Sequence, residues 1–78
     1  MLRPDAFLPE IARLAGAAAT ALRRERARLG WTQEKAAEAA EMNVRHYQKL
    51  EEGSVNATLR TLERLSAALR VDVRDLFT

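Results

Sequence analysis

"WTQEKAAEAAEMNVRHYQKLEEG", residues Trp31 to Gly53, holds two short helical patterns with almost nothing between them. Thr32 is a good helix N-cap, because its hydroxyl can accept a backbone N–H that has no helical partner. Gln33, Glu34 and Lys35 follow as a first turn, and Ala36, Ala37 and Ala40 recur at the helical spacing that faces one way. Asn43 is a second strong cap, Tyr47 and Leu50 give the next helix a buried stripe, and Gly53 ends it. Only Glu41 and Met42 are left to join the two helices. So short a join makes them cross steeply, which is helix-turn-helix geometry. Ala37 is small where the helices approach, and Met42, Tyr47 and Leu50 supply the apolar seam. One face of the second helix stays outside, with Val44, Arg45, Gln48 and Lys49 on it and His46 beside it.

Upstream, Pro9 suits the first position of a helix, and Ile11, Leu14, Ala15, Ala18, Leu22 and Leu29 repeat at spacings of three and four. Gly30 stops that pattern as a C-terminal cap. A single helix from Pro9 to Leu29 would run about 30 Å, long for so small a domain. A division or bend at Gly16 is therefore expected, leaving residues 1–17 as an N-terminal extension or leading helix. Downstream, Thr58 begins a helix carrying Leu59, Leu62, Leu65, Ala68 and Leu69, and Asp72 caps a last turn, "VRDLF". No stretch alternates apolar and polar β-branched residues, so the predicted fold is all-α: five helices, with residues 18–78 as the helix-turn-helix domain.

The totals fit one small domain. The chain has 78 residues, 47% hydrophobic and 31% charged, and only 5% aromatic, so alanine and leucine must build the core. There is no cysteine, hence no disulfide framework and no thiolate metal site, which fits a cytoplasmic location. No apolar run approaches the length of a membrane span, and "MLRPDAFLPE" lacks a signal-peptide pattern. Lone His46 is a poor metal ligand, no nucleophile–base constellation or glycine-rich phosphate loop is present, and the neighbours Glu51 and Glu52 do not face one another on a helix. Neither an enzyme nor a cofactor is expected.

Charge is uneven. Residues 1–31 carry six arginines against three acids, residues 32–53 three basic residues against five acids, and residues 54–78 four against three, for a net +2. The central stretch is thus the acidic one, although its outward side chains suit a duplex. Arginine can grip guanine O6 and N7, glutamine can pair with adenine, and valine can touch a thymine methyl. Gln33, at a helix start, can bond a phosphate, with Arg23, Arg24, Arg26 and Arg28 nearby.

These features together resemble the Xre/Cro family of phage lambda-repressor-like regulators. The resemblance runs over about residues 18–77 and rests on Thr32-Gln33-Glu34, Ala37, Asn43, Leu50-Glu51-x-Gly53, Asn56, Leu59 and the closing Val71 to Phe77. It implies five helices and sequence-specific binding of double-stranded DNA, usually as a homodimer. Carried onto this sequence, Val44, Arg45, Gln48 and Lys49 become base-reading residues, and Gln33, Arg23, Arg24 and His46 phosphate contacts. Arg26 becomes the partner of Glu51 in a buried ion pair. Glu41 and Arg70 stand where relatives commonly have glycine, and left-handed backbone at either would cost about 1 kcal/mol. The expected function is a repressor or autoregulator on a palindromic operator. Val73, Leu76 and Phe77 are the first dimer contact to consider, and Leu2, Phe7 and Leu8 the second. The alternative is an antitoxin or protein-interaction adaptor on the same fold, whose partner would be a toxin or other protein.

Overall fold

In the computed structural model the described residues are 4–55 and 57–77, with side chains described from residue 15 onward. Four α-helices and one 3-10 helix follow in order: α1 (Pro4–Leu29), α2 (Gln33–Ala39), α3 (Val44–Glu52), α4 (Leu59–Leu69) and the 3-10 helix Val73–Phe77. No strand occurs among the described residues, and none of the helices is long and apolar enough to cross a membrane.

Two expectations change. The first helix is not divided at Gly16, nor does it start at Pro9: α1 is one helix of 26 residues from Pro4. Pro4 takes the first helical position, where a missing N–H costs nothing. Around Gly16 stand Ala15, Ala17, Ala18 and Ala19, the best helix formers, which offset the ~1 kcal/mol penalty of one interior glycine. The expected fifth helix is a 3-10 segment. The side chains of Ile11 and Leu14 lie outside those described, as does Asn56.

The starts of α2, α3 and α4 are each held by a side-chain oxygen. Thr32 accepts from Lys35 N, Asn43 from Arg45 N and His46 N, and Thr58 from Thr61 N. Asp72 accepts from Arg74 N at 2.9 Å while Asp75 reaches back to Asp72 N at 3.1 Å, a reciprocal cap on the 3-10 helix. The four α-helix ends share one closure, a left-handed residue followed by a backbone bond back to the last turn. Gly30, Glu41, Gly53 and Arg70 take φ of 70°, 55°, 72° and 60°. The next amides, of Trp31, Met42, Ser54 and Val71, donate to Arg26, Ala37, Lys49 and Ser66 carbonyls at 3.0–3.1 Å.

The core gathers Leu22 from α1, Tyr47 and Leu50 from α3, Leu62, Leu65 and Leu69 from α4, and Leu76 from the 3-10 helix. Ala21, Ala36, Ala37 and Ala40 let the helices approach closely. Trp31 packs at the margin, its ring 5.9 Å beneath the Lys35 ammonium. Gly53 sits over α1, where an added Cβ would touch Ala15 O, Gly16 Cα and Ala19 Cβ at 3.7 Å. Leu59, read as part of the α4 apolar stripe, is instead 67% exposed. It is the first residue of α4, before the stripe reaches the core.

Candidate nucleic-acid interface

α2 and α3 are joined by the left-handed turn at Glu41, and α3 lies against both α1 and α2. Tyr47, Leu50 and Glu51 face inward and are buried, whereas Arg45, His46, Lys49 and Glu52 are exposed. That division follows from helical period: residues 45, 48, 49 and 52 share one side. Val44 is only half outward, since it also packs against the core edge.

A polar chain runs from α1 to this face. Arg26 grips Glu51 with two bonds, Nε to Oε2 at 2.6 Å and a terminal guanidinium nitrogen to Oε1 at 3.1 Å. It also donates to the Trp31 carbonyl at 2.9 Å, so one guanidinium ties α1, the α1–α2 link and α3. Gln33 Nε2 donates to Glu51 Oε1 at 3.1 Å, and Gln48 Nε2 donates to Gln33 Oε1 at 3.2 Å. Burial by itself would raise the Glu51 carboxyl, but the bonds from Arg26 and Gln33, the nearby Tyr47 hydroxyl and the Arg26 charge together hold it below the usual carboxylate range. The same pair raises Arg26, its bond to Glu51 being the main cause. The Tyr47 hydroxyl is raised by burial first and by Glu51 second, although it is not aligned for a hydrogen bond with any described group.

The neutralised Glu51 no longer counts against a polyanion. Of the other acids of this region, Glu34 and Glu38 of α2 are exposed and lie one above the other, roughly 100° or more around the helix from Gln33, whereas exposed Glu41 sits at the turn and exposed Glu52 shares the outward side of α3 with Arg45, Gln48 and Lys49. No group of three or more His, Cys, Asp or Glu side chains that could hold a metal occurs among the described residues.

The helix-turn-helix family matches residues 22–76, most of the chain. This protein belongs to the Xre/Cro-type helix-turn-helix family of DNA-binding transcription regulators. A solved structure similar to this Xre/Cro-type protein is the crystal structure of the clp gene regulator ClgR from C. glutamicum, with a TM-score of 0.76 and 32% identity over 81% of this chain and 82% of that one. None of the curated proteins matches it.

Within this Xre/Cro-type fold the arginines of α1 separate into two groups. Arg23 donates to the Glu51 carbonyl at the end of α3 and to Thr20. It therefore stays beside α3, serving its C-terminal end. Arg24 turns instead toward the 3-10 helix. It lies roughly 160° around α1 from Arg26 and donates to the Asp75 carbonyl at 3.0 Å and to Glu25 at 3.3 Å. Arg28, read from sequence as one more cation near the phosphates, donates to Glu25 at 2.7 Å and to the Leu69 carbonyl at 3.1 Å. Glu25, buried on the same side, is held low mainly by Arg28, with Arg24 helping against the cost of burial. The spacing of Glu25 and Arg28, three apart on one helix, was the available signal for that pair, because residues three and four apart meet.

The dimer set also changes. Leu76 is 0% exposed and belongs to the monomer core, so it cannot meet a partner. A 3-10 repeat of three turns every third residue inward, and Val73 and Leu76 both follow that inward direction. Val73 is half-buried and Phe77 is 41% exposed. The second candidate contact, Leu2, Phe7 and Leu8, lies outside the described side chains.

Proposed function

We propose that this protein is a repressor or autoregulator that reads a palindromic or near-palindromic operator as a homodimer, working in the cytoplasm beside its DNA. The observation that supports this reading is the outward face of α3, where Arg45, His46 and Lys49 stand exposed on a helix whose other side is fixed in the core. Residues 18–78 form the DNA-binding domain and residues 1–17 its extension. Arg45, Gln48 and Lys49 meet base edges, with Val44 at the margin, while Gln33, His46 and Arg23 approach phosphates. Two copies related by a two-fold axis would set their α3 helices about 34 Å apart, one helical turn of DNA. Phe77, with Val73 behind it, is the dimer contact that remains.

Selection of bound sequences from a randomised duplex library at fixed salt tests the reading. A symmetric enriched motif is expected, and enrichment of no motif would remove the function. A second reading, a protein-binding adaptor or antitoxin, draws on the acidic stripe of Glu34 and Glu38 and the exposed Leu59. It predicts tight binding to an encoded neighbour protein in place of a sequence motif.

A further inference from the structure

One side chain of α3 is charged against the partner proposed for it. Glu52 is exposed and shares the side of Arg45, Gln48 and Lys49, which precede it by seven, four and three residues. It is also the last residue of α3, at the negative end of the helix dipole, where a carboxylate is disfavoured. The fold gives it no counter-ion. Glu25 is taken up by Arg24 and Arg28, and Glu51 by Arg26. Arg23, which reaches the end of α3, directs its donors to the Glu51 carbonyl and to Thr20. Among the described residues Glu52 makes no ion pair, not even with Lys49 one turn earlier.

At 1.5 Å per residue, Arg45 and Glu52 stand about 10 Å apart along the helix axis. A helix that reads with its N-terminal residues puts Arg45 at the base edges. The major groove is only about 8.5 Å deep, so Glu52 falls at its rim, beside the phosphates. We propose that Glu52 is an affinity-setting residue, whose carboxylate faces phosphates at the groove rim and holds binding to every duplex below the level that Arg45, Lys49 and Arg23 would give alone. This rests on the DNA-reading function above. Phosphate contact supplies much of the affinity but no sequence information. Weakening it leaves base readout untouched and keeps operator occupancy responsive to protein concentration, as autoregulation requires.

The experiment takes the operator enriched from a randomised duplex library and an unrelated duplex of equal length. Kd is measured on both over a range of salt for wild type, Glu52→Gln and Glu38→Gln, with a thermal melt of each. Glu38→Gln removes the same charge from an exposed acid of α2. Glu52→Gln is expected to tighten both duplexes alike, by about two- to fivefold, the scale of one exposed charge contact, and to steepen the salt dependence. Glu38→Gln should tighten them far less. An equal gain in Glu38→Gln overturns the proposal, because net charge alone would then account for it. So does a Glu52→Gln variant whose affinity is unchanged or weaker. A change confined to one base pair of the half-site overturns it too, since a glutamate that accepts from cytosine N4, or that acts through Lys49, would leave that mark. A wild-type protein that enriches no motif is a different result: it removes the DNA-reading function, and this inference with it, before any variant is compared.

Discussion

Arg23, Arg24, Arg26 and Arg28 crowd two turns of α1, and their fates show how a charge is used once its surroundings are set. Arg26 is committed to Glu51 and the Trp31 carbonyl. Arg24 and Arg28 share Glu25 and reach carbonyls of Asp75 and Leu69. Replacing Arg24 with alanine should accordingly lower stability by about 1 kcal/mol in urea melts, the scale of one net hydrogen bond, and leave the salt slope of DNA binding unchanged. Arg45→Ala and Lys49→Ala should do the reverse. Stability should hold while base preference falls by about 1–3 kcal/mol at the position each reads, as binding isotherms on matched and mismatched duplexes would show. Glu51→Ala would strand the Arg26 charge and cost about 3 kcal/mol. Glu51 and Glu25 are both held below their unfolded pKa, near 4.3 for glutamate. Their contribution is therefore present above about pH 4.3 and lost as pH falls through the lower folded values. Melts from pH 7 to 3 should show that loss, and Glu51→Gln should flatten it. Sequence reasoning alone could place these arginines on a helix. It could not say which carbonyls Arg23, Arg24 and Arg28 would meet, because those carbonyls belong to segments 28 to 51 residues away.

At the scale of the element, caps and turns were legible because they are local. Thr32, Asn43, Thr58 and Asp72 act through amides two or three residues on, so the residue type nearly determines the geometry. The left-handed closures at Glu41 and Arg70 were signalled only by the resemblance, since relatives have glycine there and neither glutamate nor arginine marks such a backbone. Both carry a Cβ that this backbone disfavours, so Glu41→Gly and Arg70→Gly should each stabilise the fold by about 1 kcal/mol. In thermal scans that corresponds to a rise of roughly 4–8 °C in Tm for a domain of this size. Gly53→Ala should cost a similar amount through its backbone, since the contacts awaiting a Cβ there are ordinary ones at 3.7 Å. The start of α1 and its passage through Gly16 were misread. A glycine penalty of ~1 kcal/mol is easily outweighed by flanking alanines, and sequence gives no sharp rule for which side wins.

For the whole molecule, the helix-turn-helix core could be foreseen from periodicity, but the surface left for a partner could not. Leu76 and Phe77 are adjacent apolar residues in the sequence, yet one fills the monomer core and the other is exposed. Whichever phase the final turn adopts decides which of them is available. If Phe77 mediates self-association, light scattering should find dimers in wild type and a shift toward monomer in Phe77→Ser. An unchanged dimer in that variant would assign the contact elsewhere. The salt slope of operator binding should then fall with the monomer's loss of one half of the phosphate contacts.

Trp31 is the chain's lone tryptophan, lodged under Lys35 just ahead of the capped start of α2, with its carbonyl fastened by Arg26. A duplex settling on Gln33 would draw Lys35 toward its backbone and change what the indole ring sees. The protein thus carries a native fluorophore two residues from the proposed landing point, so that titrations can be followed by emission without attaching any dye.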